Sequence, residues 1–168
     1  MEPGRKLEKG VSPIPAGYHT ITTNLTVRGG DKAIEFYRKA FGAKEIGRMH
    51  APDGKTIVHA ELEIGDSRIF VTDENPAFGN RSPESLGGAG SSLYLYVEDA
   101  DALFRKAVGA GAKIKMPVED MFWGDRCGAV TDPFGHEWSI ATRKEEVPLE
   151  EMKRRGEEFF KQMGSKPS

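Results

Sequence analysis

The sequence predicts an α+β protein made of two tandem β-α-β-β-β modules followed by a C-terminal helix. Three observations predict it. A series of strand, cap, helix and stop occurs twice, with Arg38-Lys39-Ala40 recurring as Arg105-Lys106-Ala107 and Gly42-Ala43 as Gly109-Ala110. Runs of period-two alternation, the mark of half-buried strands, precede both helices. The stretch Met121–Ala141 holds two short strand-like runs, Arg126–Thr131 and Glu137–Ala141. Between them Asp132-Pro133-Phe134-Gly135 is a reverse-turn signal, because Pro presets φ early in a turn and Gly tolerates positive φ near its end. Two unrelated amphipathic helices would not explain why all four features recur together, so the chain contains an internal repeat.

Bulk properties narrow the class. A length of 168 residues suits one compact domain or two small modules sharing a core. Hydrophobic residues make up 38% and charged residues 30%, the balance of a soluble globular protein, and no run approaches a membrane span. Net charge is −2 with no Lys/Arg stripe, which argues against nucleic acid as a partner. The opening MEPGRKLEKG lacks an apolar stretch and does not read as a secretory signal. A single cysteine, Cys127, rules out an intrachain disulfide and suits a reducing compartment, so a cytoplasmic protein is expected.

Taken in order, residues 1–17 read as a flexible arm, with Pro3, Pro13 and Pro15 opposing a helix. Tyr18–Val27 alternates as the first strand, placing Ile21, Thr23, Leu25 and Val27 on one face. Gly29-Gly30 ends it and Asp31 is the expected N-cap. Lys32–Phe41 carries Ala33, Phe36, Tyr37, Ala40 and Phe41 on one helical face, and Gly42 is its stop. Ile46–His50 and Lys55–Ile64 are strands around the Pro52-Asp53-Gly54 turn, and Arg68–Thr72 follows Gly65-Asp66. Module one is thus 18–75. Residues 76–91, rich in Gly, Pro and Ser, read as a linker. Module two, 92–143, opens with alternating Leu93, Leu95 and Val97, then an Asp99 cap and a helix with Ala100, Leu103, Phe104, Ala107 and Val108 along one side. Residues 144–168 form an amphipathic helix and tail, opened by Val147-Pro148 and lined by Leu149, Met152, Gly156, Phe159, Phe160 and Met163. Its apolar side packs either on its own protomer or on a partner subunit.

Three stretches carry a resemblance to a known family: DKAIEFYRKAFGA (31–43), HAELEIGDSRIFVTDENP (59–76) and DMFWGDRCGAVTDPFGHEWSIAT (120–142). They resemble the vicinal oxygen chelate superfamily, which contains glyoxalase I, bleomycin-resistance and fosfomycin-resistance proteins and extradiol dioxygenases. The last two stretches are similar to its PhnB-like branch. The resemblance spans roughly 18–143 and implies the glyoxalase/bleomycin-resistance fold, a curled mixed sheet with helices on one face and a cavity on the other. Function does not follow from it, since the superfamily holds isomerases, lyases, dioxygenases and proteins that only bind.

Strand parity then assigns the faces. Leu25, Val27, Val58, Ala60, Leu62, Leu93, Leu95, Trp138 and Ile140 should meet the helices. Thr22, Asn24, His59, Glu61, Phe70, Thr72, Ser92, Tyr94, Tyr96, Glu137 and Ser139 should line the cavity, where aromatic surface and a few polar groups suit a ligand. Metal-dependent relatives place His, Gln or Glu on the first and last strand of each module. Carried over, those points fall on Thr22, on Phe70 or Thr72, on Ser92 and on Ser139. None is a good ligand, because hydroxyl and phenyl groups do not compete with water for a divalent cation. A displaced site from His59, Glu61 and Glu137 is the alternative, weighed against a polar network of His59 and Glu61. His19 and His50 read as solvent-exposed or capping.

Trp123, Asp125 and Arg126 are candidates for a pocket mouth, Trp123 for stacking and Arg126 for clamping an anion. The competing reading is a structural Asp125–Arg126 arrangement with Trp123 as a core plug. Cys127 reads as a small buried hydrophobe, and Asp73 and Glu74 as solvated strand ends or an acidic lip. Gly87-Gly88-Ala89-Gly90 precedes a strand, so it is no phosphate loop.

The expectation is a metal-independent small-molecule-binding protein that forms a homodimer and needs no cofactor. Bleomycin-resistance proteins, which sequester a ligand in a dimer cleft, are the model that the resemblance offers. Its ligand-binding candidates are Asn24, His59, Glu61, Phe70, Tyr94, Tyr96, Trp123, Arg126 and Ser139. The alternative is a metal-dependent lyase, isomerase or dioxygenase using a divalent ion at the displaced site.

Overall fold

A computed structural model describes residues 10–164. Positions 1–9 of the expected arm and 165–168 of the expected tail lie outside the described residues. Module one contains β1 (Thr23–Val27), α1 (Gly30–Phe41), β2 (Lys44–His50), β3 (Ile57–Ile64) and β4 (Ser67–Asp73). Module two contains β5 (Ser92–Tyr96), α3 (Ala100–Gly109), β6 (Lys113–Asp120), β7 (Asp125–Thr131) and β8 (Glu137–Arg143). A short α2 (Pro83–Leu86) joins them, and α4 (Leu149–Gly164) closes the chain. Each module is one four-stranded sheet, in the order β1-β4-β3-β2 and β5-β8-β7-β6. In each, the first strand runs parallel to the last, β1 to β4 and β5 to β8, and the remaining pairs are antiparallel. The repeat read from two helices is therefore a repeat of topology. No helix among the described residues is long and apolar enough to cross a membrane.

The helices lie between the sheets. α1 packs on β2, β3 and β4 and α3 on β6, β7 and β8, and the two helices pack on one another. One core results, running from Leu25 and Val27 through Tyr37 and Phe41 to Trp138 and Ile140. Trp138 meets Phe41 at 4.5 Å and Tyr37 at 5.6 Å between ring centroids, and Phe134 of the hairpin turn meets Phe36 at 6.2 Å. The buried Asp132 carboxylate ties the modules together. Its Oδ2 accepts from the Tyr37 hydroxyl and Trp138 Nε1, both at 2.9 Å, and its Oδ1 accepts from the backbone N–H of Phe134 and His136. Burial first, then the Asp132 charge, pushes the Tyr37 hydroxyl well above its ordinary pKa. With helices in the middle, each sheet turns its other face outward.

Several elements differ from expectation. β1 begins at Thr23, and Ile21, expected on the apolar face, is 86% exposed. α1 starts earlier than read, with Gly29 at the N-cap in a left-handed conformation (φ 84°) that a glycine tolerates. Asp31 is therefore not the cap. It sits in the first turn and bonds Arg48 and His50. The capping acceptor comes from β4: Asp73 takes the N–H groups of Gly29 and Gly30 on Oδ1 at 2.8 Å and that of Ile57 on Oδ2 at 2.7 Å. Asp73 is thus no solvated strand end. In β3, Met49 pairs with His59 and His50 with Ile57, which leaves Val58 as the extra residue of a bulge. The bulge shifts parity, so Val58 is 47% exposed instead of meeting the helix, and Ile57 takes the buried place. Asp99 caps α3 as read, accepting from Ala102 N–H at 2.9 Å.

The linker has structure of its own, a 3-10 turn at Pro76–Phe78 and then α2. Glu74 organises it, accepting from Ser82 N–H and Oγ and Ser85 Oγ, and pairing with Arg28. Those bonds, Ser85 foremost, hold its carboxyl down at about 2, so Glu74 is not an acidic lip.

Candidate functional site

The outward face of module one is built by β1, β3 and β4. Cross-strand register sets Asn24 beside Phe70 and Phe70 beside Glu61, while Thr26 faces Thr72. Phe70 lies in line with the cavity cluster, and Thr72, two residues on, shares its face. His59 and Glu61, two apart on a strand, share that face. His59 Nε2 lies 3.2 Å from Glu61 Oε1, and the imidazole and Phe70 centroids are 4.7 Å apart. Asn24 Oδ1 lies 3.5 Å from the Thr72 hydroxyl.

Tyr18 completes this face, a residue that the strand reading had placed inside β1. Its hydroxyl donates to Glu61 Oε2, its ring lies 5.7 Å from Phe70, and the Arg68 guanidinium sits 4.7 Å from the ring centroid. The Tyr18 and His59 hydrogen bonds, in that order, hold the Glu61 carboxyl below its usual range. Burial first, then Glu61, raises the Tyr18 hydroxyl. Pro13, Ile14 and Pro15 lie alongside and enclose about 590 Å³ with Glu61 and Phe70. The described part of the arm is thus laid across the candidate surface. Arg68 Nε is buried there without a hydrogen-bond partner among the described residues.

The outward face of module two is built by β5, β8 and β7. Tyr94 stands beside Ser139 and Tyr96 beside Ala141 on the neighbouring strand. Because Ser139 and Ala141 are small, the two rings reach across β8 toward β7. There Asp125, only 4% exposed, accepts on Oδ2 from the Tyr96 hydroxyl at 2.9 Å, the Tyr94 hydroxyl at 3.1 Å and Trp123 Nε1 at 3.1 Å. The Tyr94 hydroxyl also lies 3.5 Å from the buried Cys127 thiol. Burial, with Cys127 next, pushes Tyr94 far up, and the Asp125 bond raises Tyr96. Neither phenol is therefore a ready proton donor near neutrality.

Arg126 is not part of this group. Alternation along β7 sends it to the helix side, where Nε and Nη2 bond the Asp101 carboxylate of α3 at 2.5 and 2.8 Å and Nη1 lies 3.2 Å from Asp120. The anticipated Asp125–Arg126 arrangement is replaced by two separate networks on opposite faces. Period-two parity in Arg126–Thr131 already held that information, since it separates Arg126 from Cys127. Trp123 is half-buried, not a core plug; it is hydrogen-bonded to Asp125 and meets Phe122 edge-on at 4.9 Å.

A second opening, of about 960 Å³, lies between the start of β1, the start of β4 and the free edge of β5. Arg68 from module one and Ser92, Tyr94, Tyr96 and Lys106 from module two line it, so it draws on both modules.

The residues at the points where metal-dependent relatives bear ligands are poor donors for a divalent ion. Thr22 precedes β1, and Phe70 or Thr72, Ser92 and Ser139 are the other points expected to bear ligands. The displaced trio does not assemble within one chain either: Glu137 is on the other sheet from His59 and Glu61 and pairs with Lys115. Among the described residues no three or more His, Cys, Asp or Glu side chains are grouped to hold an ion.

Comparison with known proteins agrees with the architecture. The model of the Glyoxalase/Bleomycin resistance protein/Dioxygenase superfamily matches residues 19–140. An uncharacterized protein of Mycobacterium bovis is 43% identical over 135 residues, covering 79% of this chain and 88% of that protein. The crystal structure of an Arabidopsis thaliana gene product superposes with a TM-score of 0.59 at 30% identity, over 76% of this chain and 99% of that one. A PhnB protein from Bacillus cereus superposes with a TM-score of 0.57 at 20% identity, over 74% and 99%, and shows likeness of fold alone.

Proposed function

Because the chain belongs to the glyoxalase/bleomycin resistance protein/dioxygenase superfamily, we propose that it is a small-molecule-binding protein that works without a metal, as a homodimer, in a reducing compartment such as the cytoplasm. The observation that carries this reading is the donor set. The points expected to bear a metal fall on Thr22, Phe70 or Thr72, Ser92 and Ser139, while the same outward faces offer rings and hydrogen-bonding groups: Phe70, His59 and Glu61 on one sheet, Tyr94, Tyr96 and Trp123 on the other. Such a lining binds by stacking and a few directed bonds, and it holds no activated nucleophile.

Ligand entry at the module-one face requires the Tyr18 segment to move, since Tyr18 occupies the Glu61 and Phe70 surface. Dimerisation is supported by large apolar side chains left outward, Ile21, Ile46 and Met49 among them. A catalytic reading with a displaced ion would need Glu137 of a second copy to approach His59 and Glu61.

Elemental analysis of protein purified without a metal-binding tag, before and after exposure to Zn²⁺, Ni²⁺, Mn²⁺ and Fe²⁺ and desalting, tests this. Well below one ion per chain is expected under every condition. Near-stoichiometric retention that His59→Ala abolishes would sink the metal-independent reading.

A further inference from the structure

We propose that the outward face of module two is a binding site for an organic cation, a quaternary ammonium or protonated amine group, with Tyr94 and Tyr96 as its platform and Asp125 as its counter-charge. The inference rests on the ligand-binding reading above and names the chemistry of the ligand.

Charge is the first step of the argument. Asp125 is buried, yet among the described residues no Lys, Arg or His nitrogen lies within ion-pair distance of its carboxylate. Two neighbouring cations point to other carboxylates. Arg126, its chain neighbour, is turned to Asp101. Arg143, opposite Asp125 across the β7–β8 pair and close enough to act on Tyr96, pairs with Glu146 at 3.5 Å. Asp125 is thus a carboxylate removed from water, held by neutral donors and without a direct ion pair among the described residues.

The second step is where that charge is felt. All three donors converge on Oδ2 from aromatic side chains. A phenol hydrogen-bonded to a carboxylate is more electron-rich than a free one, which deepens the negative face of its ring. The rings lie over Ser139 and Ala141 with centroids 5.1 Å apart at 45°, and Tyr94 and Tyr96 remain 45% and 65% exposed. Large rings with their hydroxyls anchored inward and their faces left to solvent form a preorganised surface. A cation seated on it gains from both ring faces and from the carboxylate beneath, without needing to reach Asp125. An Asp125 serving only to anchor the Trp123-Gly124 turn would need the hydrogen bonds but not the exposed rings.

The experiment uses the intact chain labelled with ¹³C at the tyrosine rings, titrated with choline and, separately, with its neutral isostere 3,3-dimethylbutan-1-ol. Choline should shift the Tyr94 and Tyr96 resonances saturably and the alcohol should bind at least tenfold more weakly. Asp125→Asn, which keeps the shape and removes the charge, should weaken choline about tenfold while leaving the alcohol unchanged. Tyr96→Leu, at a mostly exposed position that leaves folding intact, should also lose choline at least tenfold and serves if the Asn variant does not fold. Equal affinity for choline and the alcohol, or choline binding unaffected by both variants, overturns the inference. Neutral planar aromatics that shift the same resonances while choline does not would overturn the cation assignment and leave the ligand-binding function standing.

Discussion

Asp132 shows how much one residue can do beyond its legible role. The sequence marks it as the first position of a turn, which it is, with Gly135 N–H bonding back to its carbonyl at 3.1 Å. Its carboxylate also takes four donors from three elements, two of them side chains that are fully buried. Turn chemistry is local and readable, whereas the arrival of Tyr37 from 95 residues away depends on the two modules docking. Asp73 is the same case, legible as a strand end but acting as the cap of a helix that precedes it in the chain. Asp132→Asn keeps the volume but replaces one accepting oxygen with an amide that meets a donor. It should cost about 3 kcal/mol of stability, the scale of an unsatisfied buried polar group in a charged network. Urea denaturation followed by far-UV circular dichroism measures it, and a midpoint within error of the parent would show that the carboxylate does not hold the modules together.

Elements were legible in proportion to how sharply their periodicity is written. Both core helices follow from the i, i+3, i+4, i+7 spacing, and the stop at Gly42 from its positive φ of 68°. β6 has no comparable signal, because it is an edge strand whose side chains are mostly exposed and it contains Pro117, which an edge tolerates. The bulge at Val58 is invisible for a different reason: parity arguments assume an unbroken ladder, and the extra residue is set by pairing with β2. Composition marks residues 76–91 as a linker but does not show its order, which one carboxylate supplies. Glu74 has its folded pKa lowered from 4.5 to about 2, so its bonds stabilise fully above about pH 4.5. They weaken as pH falls toward 2, because the unfolded chain takes up its proton first. Glu74→Gln should therefore lower the urea midpoint most at pH 6, and the gap to the parent protein should close as the pH approaches 2. A gap independent of pH would mean that packing of α2, not the charge, orders the linker.

At the scale of the whole molecule, the sequence supplied two modules but not how they meet. Helix faces and strand faces are local properties, whereas the shared core depends on the fit of Phe36, Tyr37 and Phe41 against Phe134 and Trp138. The consequence is that one chain turns its two candidate binding faces outward. α4 does not cover them. Phe122 packs against Phe159 at 5.5 Å and over Gly156, and Arg155 bonds Glu145, so part of the helix rests on its own protomer while Leu149, Phe160 and Met163 stay exposed. Met49 is a useful probe of what does cover module one. It lies across from His59 on the edge strand β2, mostly exposed in a single chain, so a charge there has almost no cost to the isolated fold. In the proposed dimer the same position would be buried, and an unpaired carboxylate removed from water is expensive. Met49→Glu should then leave the thermal midpoint of the monomer nearly unchanged and weaken dimerisation by at least tenfold, read by sedimentation velocity across a concentration series. A parent protein that sediments as a monomer at every concentration, or a variant that dimerises as the parent does, would mean that the module-one face meets solvent or ligand and not a second copy.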